Sequence, residues 1–425
     1  MFSLRIPPGS KEKTMAPSSP ALTPRFQRSH WDETRAQACI DFLKRLVQTP
    51  SLSGQESAVA RMVAAEMRDL GYPGVRVDRI GNVIGRCGRP GGPILLFNAH
   101  MDTVDIGDPG AWTHDPYGAE IEQGRLYGRG AADMKGALAA MVHGIGLLAR
   151  HQIDLPGEVI VAAVVQEEPT EGMAMRVLVE EEGIRPHWVI LGEPTNLQIA
   201  RGHRGRMEIR LSTFGRSCHA SAPQQGENAL YSAARVIFGI ELLNSNLMTD
   251  AVLGQGTIAV THLSSVAGGR NVIPDRCDLI IDRRLTLGET ASRALAEIEA
   301  LLRRENIRGE VQTGYYRTTS YTGYSTEGPE VYPAWLMPED HPLLTHTINS
   351  LEQTLGRRPT VGVWAFSTDG TYTMGTAGIP TIGFGPGDDR LAHTADESIR
   401  LEDIHTAAVA YANLAVDLLH HLPHP

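Results

Sequence analysis

The chain has 425 residues, 42% hydrophobic and 21% charged, a globular composition long enough for two or three domains at roughly 150 residues each. A net charge of −10, from 39 Lys and Arg against 49 Asp and Glu, argues against the basic face that nucleic-acid binding needs. No apolar run approaches the ~20 residues that span a bilayer, so no membrane association is expected. Residues 1–30 are rich in Pro, Ser and basic residues without an apolar signal-peptide core, and read as a flexible tail with an alternative start at Met15. Cys39, Cys87, Cys218 and Cys277 are dispersed, which fits neither a thiolate zinc site nor a disulfide framework, and a cytoplasmic location is expected.

Cys39, Ile40, Leu43 and Val47 at helical spacing predict a helix over 32–48. Ser53 with Glu56 three positions on reads as a capping box, opening a helix that ends at Gly71. Short strands follow between 75 and 86. The apolar runs at 93–97, 158–165 and 188–191 predict strands covered on both faces, with helices at 134–150 and 171–182 between them. That alternation implies parallel pairing with right-handed crossovers, so an α/β fold whose mainly parallel sheet is sandwiched by helices.

Near residue 205 the pattern changes. Met207, Ile209 and Leu211 alternate with polar residues, the period of a half-exposed strand. A helix at 227–245, strands at 257–263 and 276–285, a helix at 289–304 and a strand at 308–314 complete a β-α-β-β-α-β order, that of a small ferredoxin-like α+β unit. Residues 315–338 read as a long irregular return crossing, after which a helix at 341–355 and a strand at 380–384 resume the first unit. The expected organisation is an inserted domain at 206–315 within a catalytic α/β domain at 31–205 and 316–425.

Ligands of open α/β sheets collect beyond the carboxyl ends of the strands. There the sequence places His100 and Asp102 after PILLFNA, Glu167 and Glu168 after EVIVAAVVQ, Glu193 after WVILG, and His393 after PTIGFGPGDD; GRGAADMKG delivers Asp133 before a helix. Singly these have plainer readings, as surface pairs, N-caps or turn residues. Together on one sheet edge they are buried carboxylates that need cations. His100, Asp133, Glu168, Glu193 and His393 bring two imidazoles and three carboxylates; two divalent ions against three negative charges leave about one positive charge, which one hydroxide neutralises. Such ligation suits zinc, and cobalt or manganese also fit. Glu167 is left over as a general base, and Asp102 is placed to accept the other ring N–H of His100.

The motifs NAHMDTVD, GRGAADMKG, VQEEPTEG, LGEPTN and AHTADE, in this order over about residues 35–420, resemble the zinc-dependent deacetylases and exopeptidases. That family includes acetylornithine deacetylase, succinyl-diaminopimelate desuccinylase, aminoacylase and the glutamate carboxypeptidases. The resemblance implies two divalent metal ions per chain: Asp133 bridging, His100 and Glu193 completing one site, Glu168 and His393 the other. It further implies a cis Asp133–Met134 peptide, a homodimer made through the inserted lid domain, and His219 in SCHASAP stabilising an oxyanion from the neighbouring subunit. Asn271 and Arg284 match positions that hold the substrate's carboxylate or carbonyl, and Ser367 and Thr368 lie in a segment resembling a substrate-binding one. Arg283 faces the other way from Arg284 and is expected to make a structural or solvent contact. ARGHRGRMEIRL, DRRLTLGE and FSTDG resemble a subgroup of selenium-metabolism-linked hydrolases.

The implied activity is hydrolysis of an amide-type C–N bond in a small molecule with a free carboxylate: an N-acyl or N-carbamoyl amino acid, or a dipeptide. An exopeptidase is the alternative within the fold, and a non-catalytic dimeric binding protein the alternative outside it. His420, His421 and His424 cluster at the C-terminus without a preformed site, and neither a P-loop nor a nucleophile elbow is present.

Overall fold

The computed structural model describes residues 25–27 and 30–422. Most of the expected tail, and His424, lie outside these residues. The end of that tail is docked: Phe26 is buried, its N–H donates to Asn413 Oδ1 at 2.8 Å, and its carbonyl accepts from Asn413 Nδ2 at 3.0 Å. A buried ring with both backbone groups satisfied shows that folded structure is present several residues before position 31.

The larger sheet runs in the order Gly74–Val77, Val83–Gly88, Glu158–Val164, Ile94–His100, Trp188–Leu191, Thr381–Gly383, Ile199–His203, Trp335–Leu336, with Val361–Trp364 also paired to Ile199–His203. Its middle four strands are mutually parallel and its flanks mostly antiparallel. Every residue of Glu158–Val164 is buried, as a strand covered on both faces must be. Helices Gly136–Arg150 and Leu401–Leu419 cross tightly at Gly144, where a Cβ would lie 2.3 Å from Ala408 O.

The smaller sheet is antiparallel, ordered Thr257–Val266, Arg276–Leu285, Gly205–Phe214, Gly309–Thr313, and carries helices Ala229–Asn244 and Ala291–Arg304. Met207, Ile209 and Leu211 join Val236, Ile240, Ile298 and Leu301 in a hydrophobic core separate from that of the larger sheet. This is the ferredoxin-like arrangement expected from the element order.

Three local expectations are corrected. The second helix begins at Ser57, not Ser53, because Ser53 Oγ donates to Asp102 Oδ2 at 2.7 Å instead of capping. The expected helix at 171–182 is a short α segment, Met173–Arg176, running into a wider π turn, Val177–Glu181. The return crossing is not irregular: Tyr315–Thr319 and Ser325–Pro329 form a hairpin around Gly323 at φ +86°. Val331–Tyr332 then pairs with the smaller sheet and Trp335–Leu336 with the larger. Its Tyr- and Thr-rich composition favours strands as much as loops.

Candidate metal centre

His100 closes a central strand, Glu193 follows the next one, and both are buried to within a few per cent. Asp133 is presented by a turn at Gly130, whose φ of +83° and Cβ direction, 2.6 Å from Thr103 Cγ2, leave room only for glycine. The Asp133–Met134 peptide is cis, in agreement with the resemblance. His393 stands on a loop at φ +62°, half exposed.

These strand ends bring five side chains into two overlapping triads. His100, Asp133 and Glu193 offer ligand atoms all within 4.8 Å of one another, and so do Asp133, Glu168 and His393. Asp133 belongs to both: Oδ1 lies 3.0 Å from His100 Nε2 and Oδ2 lies 3.3 Å from His393 Nε2. Glu193 Oε1 is 3.9 Å from His100 Nε2, and Glu168 Oε2 is 3.1 Å from His393 Nε2. The Asp102 carbonyl, which can only accept, lies 2.8 Å from His100 Nδ1. His100 therefore carries a proton on Nδ1, and its Nε2 is the ring atom that faces the carboxylates.

The electrostatics require a cation. Burial and then the charge of Glu193 push Glu167 well above the usual carboxylate range; burial and then Asp133 do the same to Glu193. Hydrogen bonds to Asp133 and Glu168 raise His393 to about 10. For His100, burial opposes the charged form, but Asp133 and Glu193 outweigh it and raise the pKa. Two imidazoles with three carboxylates in this buried cluster fit two divalent ions sharing Asp133.

Glu167 is buried beside the triads in neither of them, and its Oε1 has no hydrogen-bond partner among the described residues. An orphaned buried carboxylate oxygen fits a base awaiting a proton. Asp102 departs from expectation. It is the backbone carbonyl that takes the His100 ring N–H; the carboxylate is 3.7 Å away. The carboxylate instead accepts the N–H groups of Glu167 at 3.1 Å and Glu168 at 3.2 Å, fixing the backbone that carries both glutamates.

The remaining candidates are not gathered at the triads. His219 is exposed at the margin of the smaller sheet, within 3.5 Å of Asn271, and none of its hydrogen bonds reaches the triads. Its Nδ1 accepts from Ser221 N, and its Nε2 faces Asn271 Nδ2. Arg284 is partly exposed, opposite Arg206 in the strand register and paired with Asp282 at 2.8 Å. Arg283 is buried against Glu289 at 2.6 Å, a structural contact as expected. Thr368 is fully buried, its hydroxyl accepting from Gly370 N and its N–H donating to His203 Nε2. Ser367 Oγ is buried with no partner among the described residues.

Glu397 and Asp369 are buried acids that the sequence did not single out. Glu397 accepts from the N–H groups of Gly130, Ala132 and Asp133 and from Arg129, holding the whole Asp133 turn. Asp369 accepts from Asn98 Nδ2 and Gly172 N, both at 2.7 Å. Both sit in motifs already singled out, AHTADE and FSTDG, but their partners are distant in sequence.

Residues 96–417 match the model of peptidase family M20/M25/M40. Over 381 residues the chain is 38% identical to uncharacterized protein YgeY of Escherichia coli K12, covering 89% of this chain and 94% of the relative. It is 24% identical over 398 residues to succinyl-diaminopimelate desuccinylase of Hydrogenovibrio crunogenus, covering 89% and 98%. Among solved structures, the M20 family metallo-carboxypeptidase Sso-CP2 of Sulfolobus solfataricus superposes with a TM-score of 0.72 at 17% identity, covering 92% and 100%. The dinuclear metal binding peptidase YXEP of Bacillus subtilis gives 0.70 at 16% identity, again covering 92% and 100%.

Proposed function

The chain belongs to peptidase family M20/M25/M40, and from that membership we propose how its residues hydrolyse an amide-type C–N bond. The chain is a metal-dependent hydrolase of the amidohydrolase and metallopeptidase kind. The observation that carries the mechanism is the shared Asp133 between two triads, with the orphaned Glu167 oxygen beside them.

In this reading two divalent ions would be held by these side chains, one by His100 and Glu193 and the other by Glu168 and His393, with Asp133 common to both groups; zinc would suit the mixed donor set. When bound, the ions polarise the scissile carbonyl and lower the pKa of water towards ~7. Glu167 takes the proton of the attacking water on its carboxylate and passes it to the leaving nitrogen. Asp102 holds Glu167 and Glu168 by their backbone N–H groups and fixes the tautomer of His100 by its carbonyl. His219 donates a ring N–H to the tetrahedral oxyanion of a neighbouring subunit's site, a role supported by its exposure at the margin of the smaller sheet. Arg284 and Asn271 hold the free carboxylate of the substrate, and Ser367 contributes a hydroxyl.

The substrate class we propose is an N-acyl or N-carbamoyl amino acid. This is supported by the desuccinylase relative, while the metallo-carboxypeptidase neighbour keeps an exopeptidase as the second reading. Residues 206–315 act as lid and dimerisation domain on the catalytic body of 31–205 and 316–425. Support comes from the separate core and from Tyr231, Phe238 and Leu242, each about two-thirds exposed on helix Ala229–Asn244. Among the described residues no helix is long and apolar enough to cross a membrane. Four free cysteines, three of them buried, support a cytoplasmic location.

The deciding measurement is turnover of the metal-loaded protein on matched N-acetyl, N-succinyl, N-carbamoyl and dipeptide substrates. Preference for one acyl class identifies a deacylase, preference for unmodified dipeptides an exopeptidase, and no hydrolysis of any member rejects the substrate class.

A further inference from the structure

The two glutamates that follow strand Glu158–Val164 diverge: Glu168 turns to His393 and Asp133, while Glu167 stands outside both triads. The divergence starts at Gln166, whose φ of +54° is a left-handed conformation that a residue with a Cβ rarely adopts. Something must hold it there.

The N–H groups of residues 166, 167 and 168 are all held by buried carboxylates from elsewhere in the chain. Asp102 takes those of Glu167 and Glu168. The third, that of Gln166, donates to Glu56 Oε1 at 3.1 Å. Glu56 is fully buried, and the same oxygen also accepts from Gly54 N at 2.9 Å. Its segment is fastened to the strand end that carries Asp102: Ser51 Oγ donates to Met101 O, Thr103 N donates to Ser51 O, and Ser53 Oγ donates to Asp102 Oδ2. One short loop, 51–56, therefore braces both carboxylates that grip the base-carrying turn.

We propose that Glu56 is a positioning residue for the general base, acting through the Gln166 backbone to set the direction of Glu167. Glu56 touches neither triad, so it moves the base without holding an ion. Gln166 has no other route to the same conformation, since both polar atoms of its side chain are buried without partners among the described residues. A desolvated backbone N–H left without an acceptor would be free to relax towards right-handed geometry, carrying Glu167 with it.

The inference rests on Glu167 being the base, and the test separates the two. In the metal-loaded protein, Glu56→Ala is expected to lower kcat about 10–100-fold with KM and metal content unchanged, the usual effect of removing an outer-shell partner. Glu56→Gln keeps an acceptor oxygen at the same reach and should stay within about threefold of the parent, whereas Glu56→Asp, one methylene shorter, should not. Amide hydrogen exchange supplies a readout that needs no turnover: Glu56→Ala and Glu56→Asp should lose at least about tenfold protection in the peptide covering 166–168, and Glu56→Gln should not. Unchanged exchange and unchanged kcat in Glu56→Asp would overturn the proposal, as would loss of metal rather than of kcat. A parent protein that hydrolyses nothing would count against the function reading alone, leaving the exchange comparison to decide on Glu56.

Discussion

At the scale of single residues, the proposed site divides into groups that would hold cations and groups that position those ligands and the base. Glu167→Gln removes the proton acceptor while preserving shape, so two metals per chain should be retained while kcat falls about 10²–10⁴-fold. Metal analysis alongside turnover checks both halves, and full activity in that variant would reject Glu167 as base. Glu56 also has a pH signature. Burial, and then the charge of Asp102, push its carboxyl up to about 7. Between the ordinary value of 4.5 and about 7 the folded protein holds more protons than the unfolded chain, so stability from this group falls as pH rises through that window. Glu56→Gln cannot titrate and should gain on the parent by up to about 3 kcal/mol between pH 4.5 and 7.5, read from urea midpoints. A constant difference across that range would contradict the buried, raised carboxyl.

At the scale of elements, glycines and buried ion pairs decide where side chains point. The Gly130 turn presents Asp133 at a positive φ with Thr103 pressed against it. Gly130→Ala should cost about 1–3 kcal/mol and reduce metal occupancy, because strain and clash both fall on the bridging residue; occupancy at two per chain would show that the turn can adapt. In the smaller sheet, Arg283 and Glu289 are each about 1% exposed and 2.6 Å apart, with Glu297 at 3.3 Å. Arg283→Ala would leave a buried carboxylate unpaired and should cost about 3–5 kcal/mol in denaturant unfolding.

At the scale of the whole molecule, the role proposed for His219 would make a dimer part of the chemistry. In a twofold dimer whose site borrows His219 from its partner, mixing His219→Ala with Glu167→Gln chains creates one intact site in each mixed dimer. Random reassortment should then restore about a quarter of parental activity from two nearly inactive proteins. Activity no higher than the sum of the separate variants would mean that each chain works alone.

The five proposed ligands and Glu167 were legible in the sequence because a parallel strand buried on both faces leaves a continuous apolar run, and whatever follows it lies on the ligand-binding edge. The ferredoxin-like unit was legible from its alternating strands, and Arg283 from strand periodicity. Tertiary structure alone decided how the acids are shared out. Ser53 has the form of a helix cap, but bonding Asp102 drew it away, and the helix began four residues later. Asp102 grips the backbone of Glu167 and Glu168, and Thr368 is buried against His203, because partners about 65 and 165 positions away in sequence reach them first. Glu56, Asp369 and Glu397 gave no local sign of their work for the same reason. A buried carboxylate must find donors, and those donors are set by which segments the packed core brings together.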